Sequence, residues 1–136
     1  MEIKFRIEGK VQAKQRPRLG RYGTYTPTQT KGFENWVKLS FINKYPNFKP
    51  LEEALRVKIY TYYEIPKSTS KKRKIEMSSD LIRPTIKPDT DNIAKSILDS
   101  LNKIAYLDDK QVVDLEVHKF YNEKPCTFVI IQTINN

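Results

Sequence analysis

The stretch Lys87–Lys95, KPDTDNIAK, sets two carboxylates two residues apart and a lysine four residues beyond the second. In an extended segment residues two apart point to the same side, so Asp89 and Asp91 can address one cation. Pro88 favours an extended conformation at Lys87 and restricts the approach to Asp89. On a helix that opens at Asp91, position i+4 returns Lys95 to the same face. Its ammonium then either closes an ordinary helix ion pair, worth about 0.3–0.5 kcal/mol, or stands beside a metal site. In the second case it can orient an attacking water or stabilise charge on a phosphate. The aspartates also have plain readings, one as a helix N-cap and the other as a solvated loop acid. A second acid pair, Asp108–Asp109, follows the far end of the same helix. Adjacent aspartates repel, and exposed turn acids are the plain alternative. Helix ends separate by about 1.5 Å per residue. Asp108–Asp109 therefore meets Asp89 and Asp91 within one chain only if the chain doubles back beside the helix start; otherwise a partner subunit must supply it.

Composition narrows the chemistry. The 136 residues include one cysteine, Cys126, and one histidine, His118, which excludes an intrachain disulfide, a cysteine zinc cage and a histidine-dominated metal site. A metal here rests on carboxylates, the donors of hard cations. The formal net charge of +9 favours polyanionic partners, nucleic acid first and an anionic membrane surface second. The cations bunch in two loops, Lys14, Arg16, Arg18 and Arg21 in one and Lys67, Lys71, Lys72, Arg73 and Lys74 in the other, with Lys87 beside the acids. A catalyst that cuts a phosphodiester needs such a split, with a positive surface for the polymer and a negative pocket for the metal. Taken singly, each of these side chains also reads as a solvated surface residue. Tyr22 and Tyr25 either stack on unpaired bases or pack their loop onto the body.

These residues need a scaffold. Ile3, Phe5 and Ile7 alternate with polar partners in Glu2–Glu8, a half-buried strand. Residues 9–27 read as an irregular basic loop. A helix follows, capped by Thr28 or Thr30 and ending near Pro46, with Trp36 expected to anchor it in the core. Ala54–Ile65 reads as a second strand, and a short helix is expected over Ser70–Met77. Asp91–Lys103 carries the apolar stripe Ile93, Ile97, Leu98, Leu101 and Ile104, with Asp91 or Asp89 as cap. Val112–Tyr121 and Thr127–Ile134 read as consecutive strands joined in a hairpin around Asn122–Pro125. His118 is expected on a strand face, Cys126 as a small buried residue, Asp99 in packing or a surface ion pair, and Gln111 in a hydrogen bond within the site. The order describes one α+β domain over 1–136, a mostly antiparallel or mixed sheet with helices packed on it. Met1–Gly9 does not read as a signal peptide, and no apolar run is long enough to cross a bilayer.

KPDTDNIAKSILDSLN followed by AYLDDKQVVDLEVHKFY resembles the core of the RusA-type Holliday-junction resolvases, common among phages and prophages. AKQRPRLGRYGTYTPTQTKGFENW is similar to that family's basic N-terminal segment, and YYEIPKSTSKKRK to the strand and basic loop before its catalytic motif. The resemblance implies metal-binding aspartates at Asp89, Asp91 and Asp109, an essential lysine at Lys95, and Asp108 as a ligand or supporting acid. It further implies a homodimer that uses Mg²⁺, with Mn²⁺ able to substitute, and no organic cofactor. The implied activity is two symmetric nicks in branched DNA, in the cytoplasm at the nucleoid. Two readings compete. A non-catalytic basic protein holding branched or single-stranded DNA keeps the basic loops but has no need of the acids and Lys95 together. A D-x-D phosphotransferase places its motif after a hydrophobic strand, whereas Arg83–Pro88 is polar and proline-interrupted; a glycosyltransferase needs more chain than this.

Overall fold

Strand β1 (Glu2–Glu8) follows from its alternation, with Ile3, Phe5 and Ile7 all buried on one side. The computed structural model describes residues 1–13, 18–21, 23–25 and 28–135, with the backbone alone at 18–19, 24–25 and 28–30. Within the segment expected to be irregular, β2 (Arg18–Gly20) and β3 (Gly23–Tyr25) pair antiparallel. Gly23, which opens β3, takes a positive φ of 118°, a conformation open to glycine. Helix α1 (Thr28–Lys44) buries Phe33, Val37 and Phe41. Trp36 corrects the expectation of a core anchor, since it is 44% exposed. It lies roughly 100° around the helix from Val37, and its indole N–H donates to the Glu8 carbonyl at 2.7 Å, tying α1 to the end of β1.

Strand β4 (Ala54–Glu64) alternates as expected, with Leu55, Val57, Ile59, Thr61 and Tyr63 turned inward. Helix α2 (Lys71–Ser78) starts at Ser70, whose side chain accepts from the Arg73 N–H. Strands β5 (Val112–Asn122) and β6 (Cys126–Ile134) complete a mixed four-stranded sheet in the order β1-β6-β4-β5. Here the expected hairpin is overturned. β6 pairs antiparallel with both β1 and β4, while β5 pairs parallel with the far side of β4. Burial explains the swap. Val129 and Ile131 of β6 are almost wholly buried and Ile130 on its other face is half-buried, which suits a central position. β5 exposes Asp114 and Glu116, charges that an edge strand carries at no cost.

Helices α1 and α3 (Thr90–Ser100) pack together, α1 against β1 and α3 against β5, making a single α+β domain. Aromatic side chains line the opposite face of the sheet. Tyr60 stacks on His118 with centroids 5.1 Å apart, and Arg83 sits 3.9 Å over the Phe120 ring. Cys126 is buried, as expected.

Helix α3 is the element that matters most for the acids. It buries Ile93, Ile97 and Leu98, and Leu101 caps it. It stops three residues short of the expected Lys103, because Lys103 takes φ 66° and breaks the helical path. The terminal carbonyl of Leu98 accepts from the hydroxyl of Tyr106 at 2.6 Å, and Tyr106 is fully buried. Tyr106→Phe should therefore lower stability by about 1–2 kcal/mol with the fold retained. A urea midpoint equal to that of the unaltered protein would show that the hydroxyl contributes nothing.

Candidate active site

Asp89 is placed by two contributions. As the N-cap of α3 its carboxylate accepts the Asn92 N–H at Oδ1, 2.9 Å, which leaves Oδ2 available. The loop before it is sewn to the sheet. Buried Tyr63 of β4 donates its hydroxyl to the Pro88 carbonyl at 2.9 Å. The ammonium of Lys119 on β5 donates to the Ile86 carbonyl at 2.5 Å, and Arg83 Nε donates to the Lys119 carbonyl at 2.6 Å. The Lys87–Pro88 peptide within this loop is cis. Burial, and then the charge of Asp89, push the Tyr63 hydroxyl up to about 12. Burial lowers Lys119, and Asp89 pulls it back up. Sequence reasoning missed Tyr63, Arg83 and Lys119. The signal for Lys119 was present: it occupies an inward position of β5, between Val117 and Tyr121, where an apolar residue is the norm.

Asp91 and Lys95 lie one turn apart on α3, both exposed. Among the described residues neither has a hydrogen-bond or ion-pair partner, so the ordinary i,i+4 ion pair is not formed. At the other end of α3 the chain makes a 3₁₀ turn, Asp109–Gln111. Asp108 caps that turn. It accepts the Lys110 N–H at 2.9 Å, and its own N–H donates to Gln111 Oε1 at 2.9 Å in a capping box. The Lys110 N–H first, and then a hydrogen bond shared with Asp109, hold the Asp108 carboxyl below its usual range. Gln111 also donates to the carbonyls of Leu51 and Glu53. Its role is thus to hold the turn against the body of the domain.

Asp109 is fixed by Asn102, whose Oδ1 accepts the Asp109 N–H at 2.8 Å. Its carboxyl is raised by burial first, then by hydrogen bonds shared with Asp99 and with Asp108. Asp99 is thereby part of this acid group. Asp89 and Asp91 stand at the start of α3 and Asp99, Asp108 and Asp109 near its end, on the order of 15 Å apart by helix rise. The acid pair stays by Asn102 and Asp99 at the end of α3, and it is Lys119 of β5 that returns to the helix start. Among the described residues, no three of the acids or other metal-ligating side chains gather closely enough to hold an ion. The donors at both ends are carboxylate oxygens, which fit a hard divalent cation.

Of the cations, Lys14 and Arg16 lie outside the described residues, as does the side chain of Arg18. Arg21 is exposed beside the β2–β3 turn. Lys67 and the run Lys71, Lys72, Arg73 and Lys74 are all exposed, the run forming the first half of α2. No acid occupies the first turn of that helix. Cations there oppose the helix dipole, at a cost of about 0.3–1 kcal/mol each at low salt. Helix stability alone does not account for this cluster. Lys87 is exposed in the loop that carries Asp89.

A raised carboxyl in the folded state favours folding below the unfolded pKa, and that contribution is lost as pH rises through the folded value. Asp109→Asn should accordingly raise Tm at pH 7 without metal, by roughly 1–3 °C. The gain should shrink below about pH 4, where carboxyls protonate. Calorimetry across pH checks this, and a Tm lowered at pH 7 would contradict the acid-crowding account.

The model of the family "Endodeoxyribonuclease RusA" matches residues 8–132. The chain is also similar to the "Uncharacterized protein YqaN" of Bacillus subtilis (strain 168), with 37% identity over 139 residues, covering 98% of this chain and 97% of that protein. The matched span contains both acid groups, Lys95 and the basic helix α2. The chain belongs to the RusA endodeoxyribonuclease family, a family of nucleases.

Proposed function

We propose that this protein is a structure-selective endonuclease that resolves four-way DNA junctions by paired symmetric nicks, dependent on Mg²⁺ with Mn²⁺ as substitute. The observation that carries the reading is the exposed pair Asp91 and Lys95, without partners among the described residues, next to Asp89 with its free Oδ2. Charges kept apart on one helix face gain nothing for the fold. A metal-dependent phosphodiesterase uses both.

The ends of α3 lie on the order of 15 Å apart by helix rise, which favours a site shared between two subunits. An isologous dimer resolves this, because a two-fold axis near the middle of α3 sets the start of one helix beside the end of its partner. Asp89 and Asp91 of one subunit and Asp109 of the other would then hold the ion, with Asp99 and Asp108 supporting Asp109. Exposed apolar residues that flank this side, Leu107, Val113 and Leu115, favour such a contact. An ion held there would supply Lewis-acid polarisation of the phosphate and lower the pKa of a bound water. Lys95 stabilises the added charge on the phosphate oxygens as water adds to phosphorus and the P–O bond breaks. Two equivalent sites match the equivalent strands of a junction. The basic face of α2 holds the DNA backbone without reading its sequence. Among the described residues no helix is long and apolar enough to cross a membrane, and we place the enzyme with DNA in the cytoplasm.

A labelled four-way junction should be nicked at two symmetric positions with Mg²⁺ and left intact in EDTA. Asp91→Asn should abolish nicking and leave binding equal or tighter, since it removes a ligand and a repulsive charge. Asp109→Asn should be equally inactive alone. Mixing the two variants should restore about a quarter of the activity, since half the exchanged dimers are mixed and each regains one site. Failure of the mixture to recover would place the site within one chain; binding without cleavage in either metal would point to a non-catalytic DNA-binding protein. Neutralising Lys71, Lys72, Arg73 and Lys74 together should weaken binding and reduce the slope of log K against log salt by roughly 2–4. An unchanged slope would make α2 a bystander.

A further inference from the structure

Beside Asp89 a cleft of about 450 Å³ opens between the loop of residues 85–88 and edge strand β5. Lys119, Lys87, Asn92, Ile86 and Pro88 line it together with Asp89, which is its one acid among the described residues. Lys119 is the unusual member. Alternation places it on the helix-bearing face of β5, and its half-buried stem runs beside the ring of Tyr63, with the ammonium 5.2 Å from the centroid. One of its three N–H donors goes to the Ile86 carbonyl. An inward charge also guards an edge strand against pairing, but a guard has no need of a cleft, a ring and a carbonyl that hold its ammonium at one place.

We infer that this cleft is a phosphate subsite, in which Lys119, aided by Lys87, takes an oxygen of a DNA phosphate next to the scissile one. The inference rests on the nuclease reading above and adds a residue and a subsite to it. Charge selects the ligand: two ammonium groups face one carboxylate, and that carboxylate is engaged elsewhere once it serves the ion. The lysines of α2 are exposed and must be ordered on binding. Lys119 is already held, so it loses little entropy and fixes the position of the strand, beyond adding affinity.

Four-way junctions with a methylphosphonate at single positions flanking the cut test this, with unaltered protein, Lys119→Met and Lys119→Arg. Neutralising one flanking phosphate should slow the unaltered enzyme about tenfold or more, and Lys119→Met should slow cleavage of unmodified DNA to a similar extent. Combined, the two changes should slow cleavage no further than either alone, because both remove one contact. Lys119→Arg should keep most of the rate, and Lys119→Met should reduce the salt slope of binding by about 1. Effects that multiply at every position would overturn the inference. So would an unaltered enzyme indifferent to every flanking phosphate, whatever the variants do to the fold. An unaltered enzyme that leaves unmodified junctions uncut would instead overturn the nuclease reading, and this inference with it.

Discussion

Helix α3 is clamped along its length and at both ends, and the placement of every acid depends on that clamp. Ile93, Ile97 and Leu98 are sealed against the sheet and α1, so the helix has no freedom to roll. Its start is fixed by Asp89 on Asn92, its end by Tyr106 on the Leu98 carbonyl. The same burial that locks the apolar stripe inward forces Asp91 and Lys95 outward. Asn102, just past the end, then holds Asp109 through its N–H. One amphipathic element thus positions two acid groups, and the rigidity of each derives from packing that neither takes part in.

The clamp has an electrostatic consequence. Asp109 is pressed against Asp99 and Asp108 and resists ionisation, while Asp108 is eased by the backbone N–H of Lys110. Neighbouring residues in sequence are thereby driven in opposite directions by their surroundings, one by crowding and burial, the other by a capping bond. The clustered cations of α2 sit against the dipole of their own helix. Both arrangements lower the stability of the isolated chain.

The loop before Asp89 connects the two halves of this design. Tyr63 and Lys119, from adjacent parallel strands, bind consecutive parts of it, Pro88 and Ile86. The parallel pairing of β4 with β5 is what brings these side chains together. Had β5 paired with β6 as a hairpin, Lys119 would sit on another part of the sheet and the loop would lose its second tether. The sheet order is therefore a property of the site as much as of the fold.

Much of this was legible in the residues themselves. The alternation of Ile3, Phe5 and Ile7, the stripe along α3, the capping role of an aspartate before it and the separation of acid from base all follow from local periodicity and side-chain chemistry. The acid pairs and Lys95 could be named because their types and spacing are local facts. Strand order was not legible: β5 and β6 each have a strand pattern, and only competition for the buried centre puts β6 between β1 and β4. The same holds for Trp36, apolar yet placed on the flank of α1, and for Lys119, whose partners lie more than thirty positions away. Local sequence determined which groups exist and which way each helix or strand turns them. Which groups meet was decided by tertiary packing, because that depends on contacts between segments whose spacing along the chain carries no information about their distance in space.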